Sequence, residues 1–427
     1  MHARIVYAIL VAAVVLLAVV LNMDRETRMG REPESPPIPA ETRDGRWVQD
    51  VDYLWSQLPR LHIDLFGTLK QSEFDHDISV LRDAVPDLSD QEIKLGIARI
   101  VAKVGDGHTT PFRNWTSGFQ RLALALRWYS DGLFIVRTGT GLEGFVGSKI
   151  LRIGNTETAD ALEKVSEIIS FDNETNLRQR SIWYLRNVTV LNLLGIVERP
   201  DSARYTIVTR EGDTTSVVFS GTSGKIDWTP IQTEKLPLYL RNGDAPFWYE
   251  QLVESRTLFF KYNQCTAVDK FRGVAAELKE RIGSGAFDRL VIDFRGNGGG
   301  NSAIFSRHLL SFLREDAYIN RKGRLFSVID GGSFSSAVLN AISLKHGTNA
   351  ITIGSSTGGK PNHFGNTRYF SLPNSGLNIQ YSTMRFELLP ELGDVPSFEP
   401  DVPIPMRSTD YFSGKDPVFD WILAYDD

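Results

Sequence analysis

The run Val291-Ile292-Asp293-Phe294-Arg295-Gly296-Asn297-Gly298-Gly299-Gly300 constrains this chain more than any other. A short apolar run that stops at a glycine cluster reads as a strand opening into a loop. In such a loop, backbone can approach other atoms closely. The run belongs to a longer alternation. Residues 258–262, 290–294 and 325–329 read as strands, and 268–282, 303–313 and 336–345 as helices. That order favours an α/β core.

Two more segments follow: Gly331-Gly332-Ser333-Phe334-Ser335-Ser336-Ala337, and then Gly358-Gly359-Lys360, with Lys360 lying 25 residues after Ser335. A serine hydroxyl is a weak nucleophile and needs a base beside it. A lysine serves as that base only when neutral, through burial or a nearby cation. Ser335 precedes an expected helix, whose partly positive N-terminus favours developing negative charge. The Ser336 N–H, with Gly298 or Gly299 from the glycine cluster, is then an expected oxyanion hole. These pieces point to acyl transfer, and among such reactions to peptide hydrolysis.

At 427 residues, with 42% hydrophobic and 23% charged residues, the chain has room for two or three folded units. A net charge of −5 with no dense Lys/Arg run gives no reason to expect nucleic acid. Cys265 is the single cysteine, so no intrachain disulfide forms, and the seven histidines show no zinc-ligand spacing with it. No metal or organic cofactor is implied. Residues 5–21 carry no charge and no small-x-small cleavage site follows them. They read as an uncleaved membrane anchor, with a cleaved secretory signal as the alternative. Both place the rest of the chain outside the cytoplasm.

The organisation expected is an anchor or signal at 1–23, a proline-rich tether at 24–45 and a helical domain at 46–118. A β-rich module at 119–224 and a catalytic core at 225–427 complete it. In the helical domain, Val48, Val51, Leu54 and Trp55 are expected on one face, as are Ile78, Leu81 and Val85. Ser89 or Asp90 is the expected cap of a helix beginning near residue 90. In the module, 132–136, 147–153, 205–208 and 216–219 read as strands and 155–169 as a helix.

At this point the motifs resemble those of the C-terminal processing (tail-specific) serine peptidases. Asp293-Phe294-Arg295-Gly296-Asn297-Gly298-Gly299 is similar to the family's strand ending D-x-R-x-N-x-G-G. Gly332-Ser333-Phe334-Ser335-Ser336 resembles its nucleophile motif, and Thr357-Gly358-Gly359-Lys360 its lysine motif. Phe398-Glu399-Pro400-Asp401-Val402 resembles its closing P-D-V element. The resemblance spans roughly residues 250–405 and implies a ClpP/crotonase-like core with Ser335 as nucleophile and Lys360 as base. It also implies a PDZ-like module at 120–222. Two departures stand out: Val338 replaces an acidic residue, and Gly358 replaces an aromatic. Gly105-Asp106-Gly107-His108-Thr109 resembles a tricorn-like segment in which a histidine is the base, so His108 is the alternative to Lys360.

The expectation is therefore an α/β protein with a ClpP/crotonase-like protease core, an N-terminal helical layer and a PDZ-like β-rich module, preceded by a membrane anchor. Its expected partners are a peptide or protein substrate and, through residues 5–21, a membrane. Oligomeric state stays open. The rival from another class is a peptidase-derived binding protein that holds an apolar ligand or peptide without cleaving it. Crotonase-type acyl-CoA chemistry is a weaker rival, since an outside location deprives it of substrate.

Overall fold

The computed structural model describes residues 31–111, 113–230 and 236–425. The run 5–21, read above as an anchor or signal, lies outside the described residues, as does the start of the tether. Among the described residues no helix is long and apolar enough to cross a membrane. The chain divides into two compact units: Met1–Ser117 with Phe364–Phe386, and Gly118–His363 with Glu387–Asp427.

The first unit packs the helices Arg43–Leu61, Gln71–Ala84 and Asp90–Ala102. Trp47, Val51, Leu54, Leu58 and Leu61 form the buried stripe of the first helix, at the three- and four-residue spacing of a helix face. Trp55 falls off that stripe, contrary to expectation. It is 49% exposed, and its indole N–H donates to Asp75 at 2.8 Å. Ser89 caps the third helix: its hydroxyl accepts the Glu92 N–H, and the Glu92 carboxylate accepts the Ser89 N–H at 2.8 Å. Residues 364–386, expected in the core, fold here instead as most of a hairpin formed by Asn362–Ser371 and Asn378–Glu387. Thr110 and Pro111 pair with Gln380 and Ile379, and the buried Asp50 carboxylate accepts the N–H groups of Asn374 and Ser375 at 2.8 Å each.

The second unit contains two sheets. An antiparallel sheet runs in the order Arg121–Leu122, Thr214–Thr222, Ser202–Val208, Lys149–Ile153, Gly132–Thr138, Leu124–Tyr129. The helix Thr158–Ser166 lies between its strands in the chain, followed by the inserted helices Glu174–Tyr184 and Val188–Leu193. The core sheet has Thr257–Tyr262, Arg289–Asp293, Leu325–Ile329, Ile351–Gly354 and Val402–Pro403 in parallel, with Phe247–Leu252 antiparallel at one edge.

Crossover helices are Val268–Gly283, a helical stretch over 303–315, and Ser336–Gly347. Parallel strands covered on both faces read as continuous apolar runs, as in Thr257–Tyr262, where every residue is buried. One face holds Leu258, Phe260 and Ile292, and the other Phe259, Val291 and Phe326. Asn173 ties the inserted helices to the core, donating to the carbonyls of Thr357 at 3.1 Å and Pro396 at 2.6 Å.

Candidate active site

The three glycine-bearing segments meet at the C-terminal ends of the parallel strands. Asp330 Oδ1 accepts the N–H groups of Gly296 at 2.8 Å and Gly332 at 2.9 Å, which binds the glycine loop to the serine loop. A Cβ on Gly332 would stand 2.6 Å from the Gly296 Cα. A Cβ on Gly358 would stand 2.3 Å from the Gly331 carbonyl oxygen, and one on Gly359 would stand 3.2 Å from the Ser335 nitrogen. Only glycine fits at the first two positions, and a side chain at Gly359 would crowd the serine loop.

Ser335 sits at φ 55° and ψ −127° immediately before the helix Ser336–Gly347. A non-glycine residue at positive φ is strained, and such strain is held only where the surroundings fix it. Gly299 supplies part of that surrounding. At φ 101°, its Cβ would stand 2.7 Å from Ser335 Cβ and 3.0 Å from the Ser336 nitrogen. The flanking serines are committed elsewhere: Ser333 Oγ donates to the Phe294 carbonyl at 2.9 Å, and Ser336 Oγ to the Gly300 carbonyl at 2.6 Å. The Ser335 hydroxyl, by contrast, has no acceptor among the described residues.

Of the expected oxyanion donors, Gly299 is otherwise engaged. Its N–H goes to Asn297 Oδ1 at 2.9 Å, while Asn297 Nδ2 donates to the Tyr262 carbonyl at 2.7 Å. Asn297 therefore fixes the turn, and Gly299 contributes close approach rather than a donor. Among the described residues the N–H groups of Gly298 and Ser336 have no acceptor, Ser336 because the first turn of a helix leaves its donors open. Beneath the loop, Cys265 is buried in a single bridge to Gly300, and its pKa is pushed up to about 11 by burial.

Lys360 does not reach for Ser335. Its Nζ donates to Asp394 Oδ1 at 2.9 Å, although the preceding Gly359 lies against the serine loop. His363 is buried, with Nδ1 2.8 Å from the Lys360 carbonyl oxygen.

His108 belongs to the first unit and is also buried. Its backbone N–H donates to Asp106 Oδ1 at 2.8 Å, and its ring Nδ1 stands 3.8 Å from the same oxygen. The other Asp106 oxygen accepts from Thr109 and Ser382 hydroxyls at 2.6 Å each and lies 3.3 Å from His62 Nε2. Burial opposes ionisation of Asp106. The His62 hydrogen bond, the charges of His108 and His62, and the Ser382 hydroxyl outweigh it and hold the carboxyl well below the usual range.

Sequence reasoning missed a buried charge cluster under the glycine loop. Lys261, 1% exposed, donates to Asp293 Oδ1 at 3.2 Å and to the Arg295 carbonyl. Arg295 bridges Asp293 and Asp416, donating to Asp416 at 3.0 and 2.8 Å, and lies 3.9 Å from the centre of the Tyr239 ring. A lysine in an otherwise apolar strand was the available signal. Among the described residues no cluster of side chains is suited to a metal ion.

No protein-family model and no curated protein sequence matches the chain. Solved structures do. Mature CPAF in complex with lactacystin aligns with a TM-score of 0.60 at 12% identity, over 89% of this chain and 97% of that one. Mature CPAF alone gives 0.60 at 12% identity, over 89% and 96%. The fold is similar to that of the S41 serine peptidases. At such identities the likeness is one of fold and leaves the chemistry to the residues. The photosystem II D1 C-terminal processing protease also matches, at 13% identity over 89% of this chain and 99% of that one, with a TM-score of 0.39.

Proposed function

We propose that this chain is a serine endopeptidase that cleaves peptide bonds through an acyl-enzyme on Ser335. One observation carries the reading: Ser335 is held at positive φ at a helix N-terminus, with the Gly299 backbone against it and both neighbouring hydroxyls committed to carbonyls. The Ser336 and Gly298 N–H groups are the oxyanion donors in this reading; removal of one such donor typically costs 10²–10³ in rate.

The Lys360–Asp394 ion pair bears on the base. A lysine takes a proton only as the free amine, so the pair must open before Lys360 serves. The first reading takes Lys360 as base after release from Asp394. The alternative proton acceptor is His108, whose ring Nδ1 stands 3.8 Å from Asp106 Oδ1.

The substrates proposed are extracytoplasmic peptides or proteins, reached by a domain tethered through residues 5–21. The PDZ-like reading of the antiparallel module rests on the helix Thr158–Ser166 following the strand pair Gly132–Thr138 and Lys149–Ile153. No metal or organic cofactor is part of the proposal. Incubating the purified full chain with an unfolded protein and following cleavage by mass spectrometry tests it. Wild type is expected to cleave and Ser335→Ala to be inert. Cleavage retained in Ser335→Ala removes Ser335 from the mechanism, and a wild type that binds peptide without cleaving it favours the binding-protein rival.

A further inference from the structure

Within the second unit a cavity of about 290 Å³ opens between the antiparallel module and the ends of the core strands. Arg127 and Tyr129 reach it from the strand Leu124–Tyr129, Asp330 and Gly331 from the serine loop, and Ile404 and Met406 from the segment after Val402–Pro403. Two of its polar groups keep unspent donors. Tyr129 is only 5% exposed; the Arg127 guanidinium faces its hydroxyl, whose proton has no acceptor among the described residues. The Arg127 guanidinium lies 5.5 Å from the centre of the Tyr411 ring and forms no ion pair among the described residues.

The other charges lining the cavity are satisfied within the fold. Arg295 is taken by Asp293 and Asp416, Arg178 by Glu174, and Asp330 Oδ1 by two backbone N–H groups. A buried hydroxyl proton left without an acceptor costs free energy, and so does a partly buried cation, unless a ligand completes them.

We propose that this cavity binds a small monocarboxylate with an apolar body, its carboxylate on the Arg127 guanidinium and the Tyr129 hydroxyl. The planar fork of arginine matches two carboxylate oxygens, and a tyrosine hydroxyl donates to one of them. Asp330 and Glu174 line the same space and repel a second negative charge, which selects a monoanion over a phosphate dianion. Ile404, Met406 and the Tyr239 ring offer the apolar wall. A free carboxylic acid and the C-terminus of a short peptide both carry this chemistry.

Isothermal titration calorimetry on the full chain carrying Ser335→Ala tests the proposal without turnover, so its outcome is separate from that of the peptidase reading. The probes are 4-methylpentanoate, N-acetyl-alanyl-leucine and the amide of that dipeptide. Saturable binding of one or both acids, at least about tenfold tighter than the amide, is expected. Arg127→Lys is expected to weaken it about tenfold or more, and Tyr129→Phe about three- to tenfold. Binding of 4-methylpentanoate alone identifies a free acid as the ligand, and binding of the dipeptide acid identifies a chain end. No saturable binding of either acid up to about 10 mM overturns the proposal. Equal affinity for the amide, or unchanged affinity in both variants at unaltered melting temperature, also overturns it.

Discussion

Lys360 Nζ donates to Asp394 Oδ1 at 2.9 Å, and in that position it is an ion-pair partner rather than a base for Ser335. A general base contributes about 10²–10⁴ to the rate, so its removal is easily measured. With His108 as base, His108→Ala loses that factor in kcat/KM while Lys360→Ala loses about tenfold or less. Asp394→Asn then leaves the rate within about threefold. The opposite ranking, with a faster Asp394→Asn enzyme, assigns the base to Lys360.

Gly299→Ala tests the close approach over the nucleophile. The added Cβ meets Ser335 Cβ at 2.7 Å and the Phe334 carbonyl oxygen at 3.0 Å, at a backbone φ of 101°. Enforced strain of this kind costs about 1–3 kcal/mol. The variant is expected to melt several degrees lower and to lose at least about 10² in kcat, since Ser335 and the Ser336 N–H must shift. Wild-type activity in a folded Gly299→Ala protein contradicts this geometry.

Ser335 stores strain that glycine does not. At φ 55° and ψ −127°, replacement by glycine removes the side-chain clash, whereas alanine keeps it. Ser335→Gly is expected to be about 1 kcal/mol more stable than Ser335→Ala, with both variants inactive. Chemical denaturation of the two side by side gives the comparison, and a less stable glycine variant argues against strain at this position.

The buried cluster under the glycine loop makes stability depend on acid. Burial opposes ionisation of Asp293, but the charges of Arg295 and Lys261, with hydrogen bonds from Arg295, depress its pKa below the ordinary value. A depressed carboxyl contributes stability that is present above its unfolded pKa, about 3.9, and is lost as pH falls through the lower folded value. Wild type should therefore lose more stability below about pH 4 than Asp293→Asn does. At neutral pH the variant should be weaker by about 3–5 kcal/mol, because a buried cation loses its partner. Denaturant melts across that range decide the point.

Much of the core was legible because its elements are local and strongly patterned. The strand 325–329 matches Leu325–Ile329, and the expected helix 268–282 matches Val268–Gly283 within a residue. The helix expected at 303–313 appears as α-helical turns around a π-helical segment, Ser306–Leu310, which apolar spacing does not reveal. The strand Leu124–Tyr129 escaped notice because Arg127 and Trp128 interrupt its alternation. The hairpin around 364–386 was misplaced because its partners, Asp50 and Thr110–Pro111, lie far away in sequence. At the site, the motifs bring Ser335, Gly299 and Gly359 together, but their spacing carries no information on where the flexible Lys360 side chain ends. Asp394, its partner, stands outside every motif.

The most direct measurement is to label the purified full chain with a fluorophosphonate and map the adduct by peptide mass spectrometry. The account predicts one phosphonylated residue, Ser335, with labelling abolished in Ser335→Ala and slowed in Gly299→Ala. An adduct on Ser333, Ser336 or any other residue, or no labelling of a folded protein that binds peptide, contradicts it.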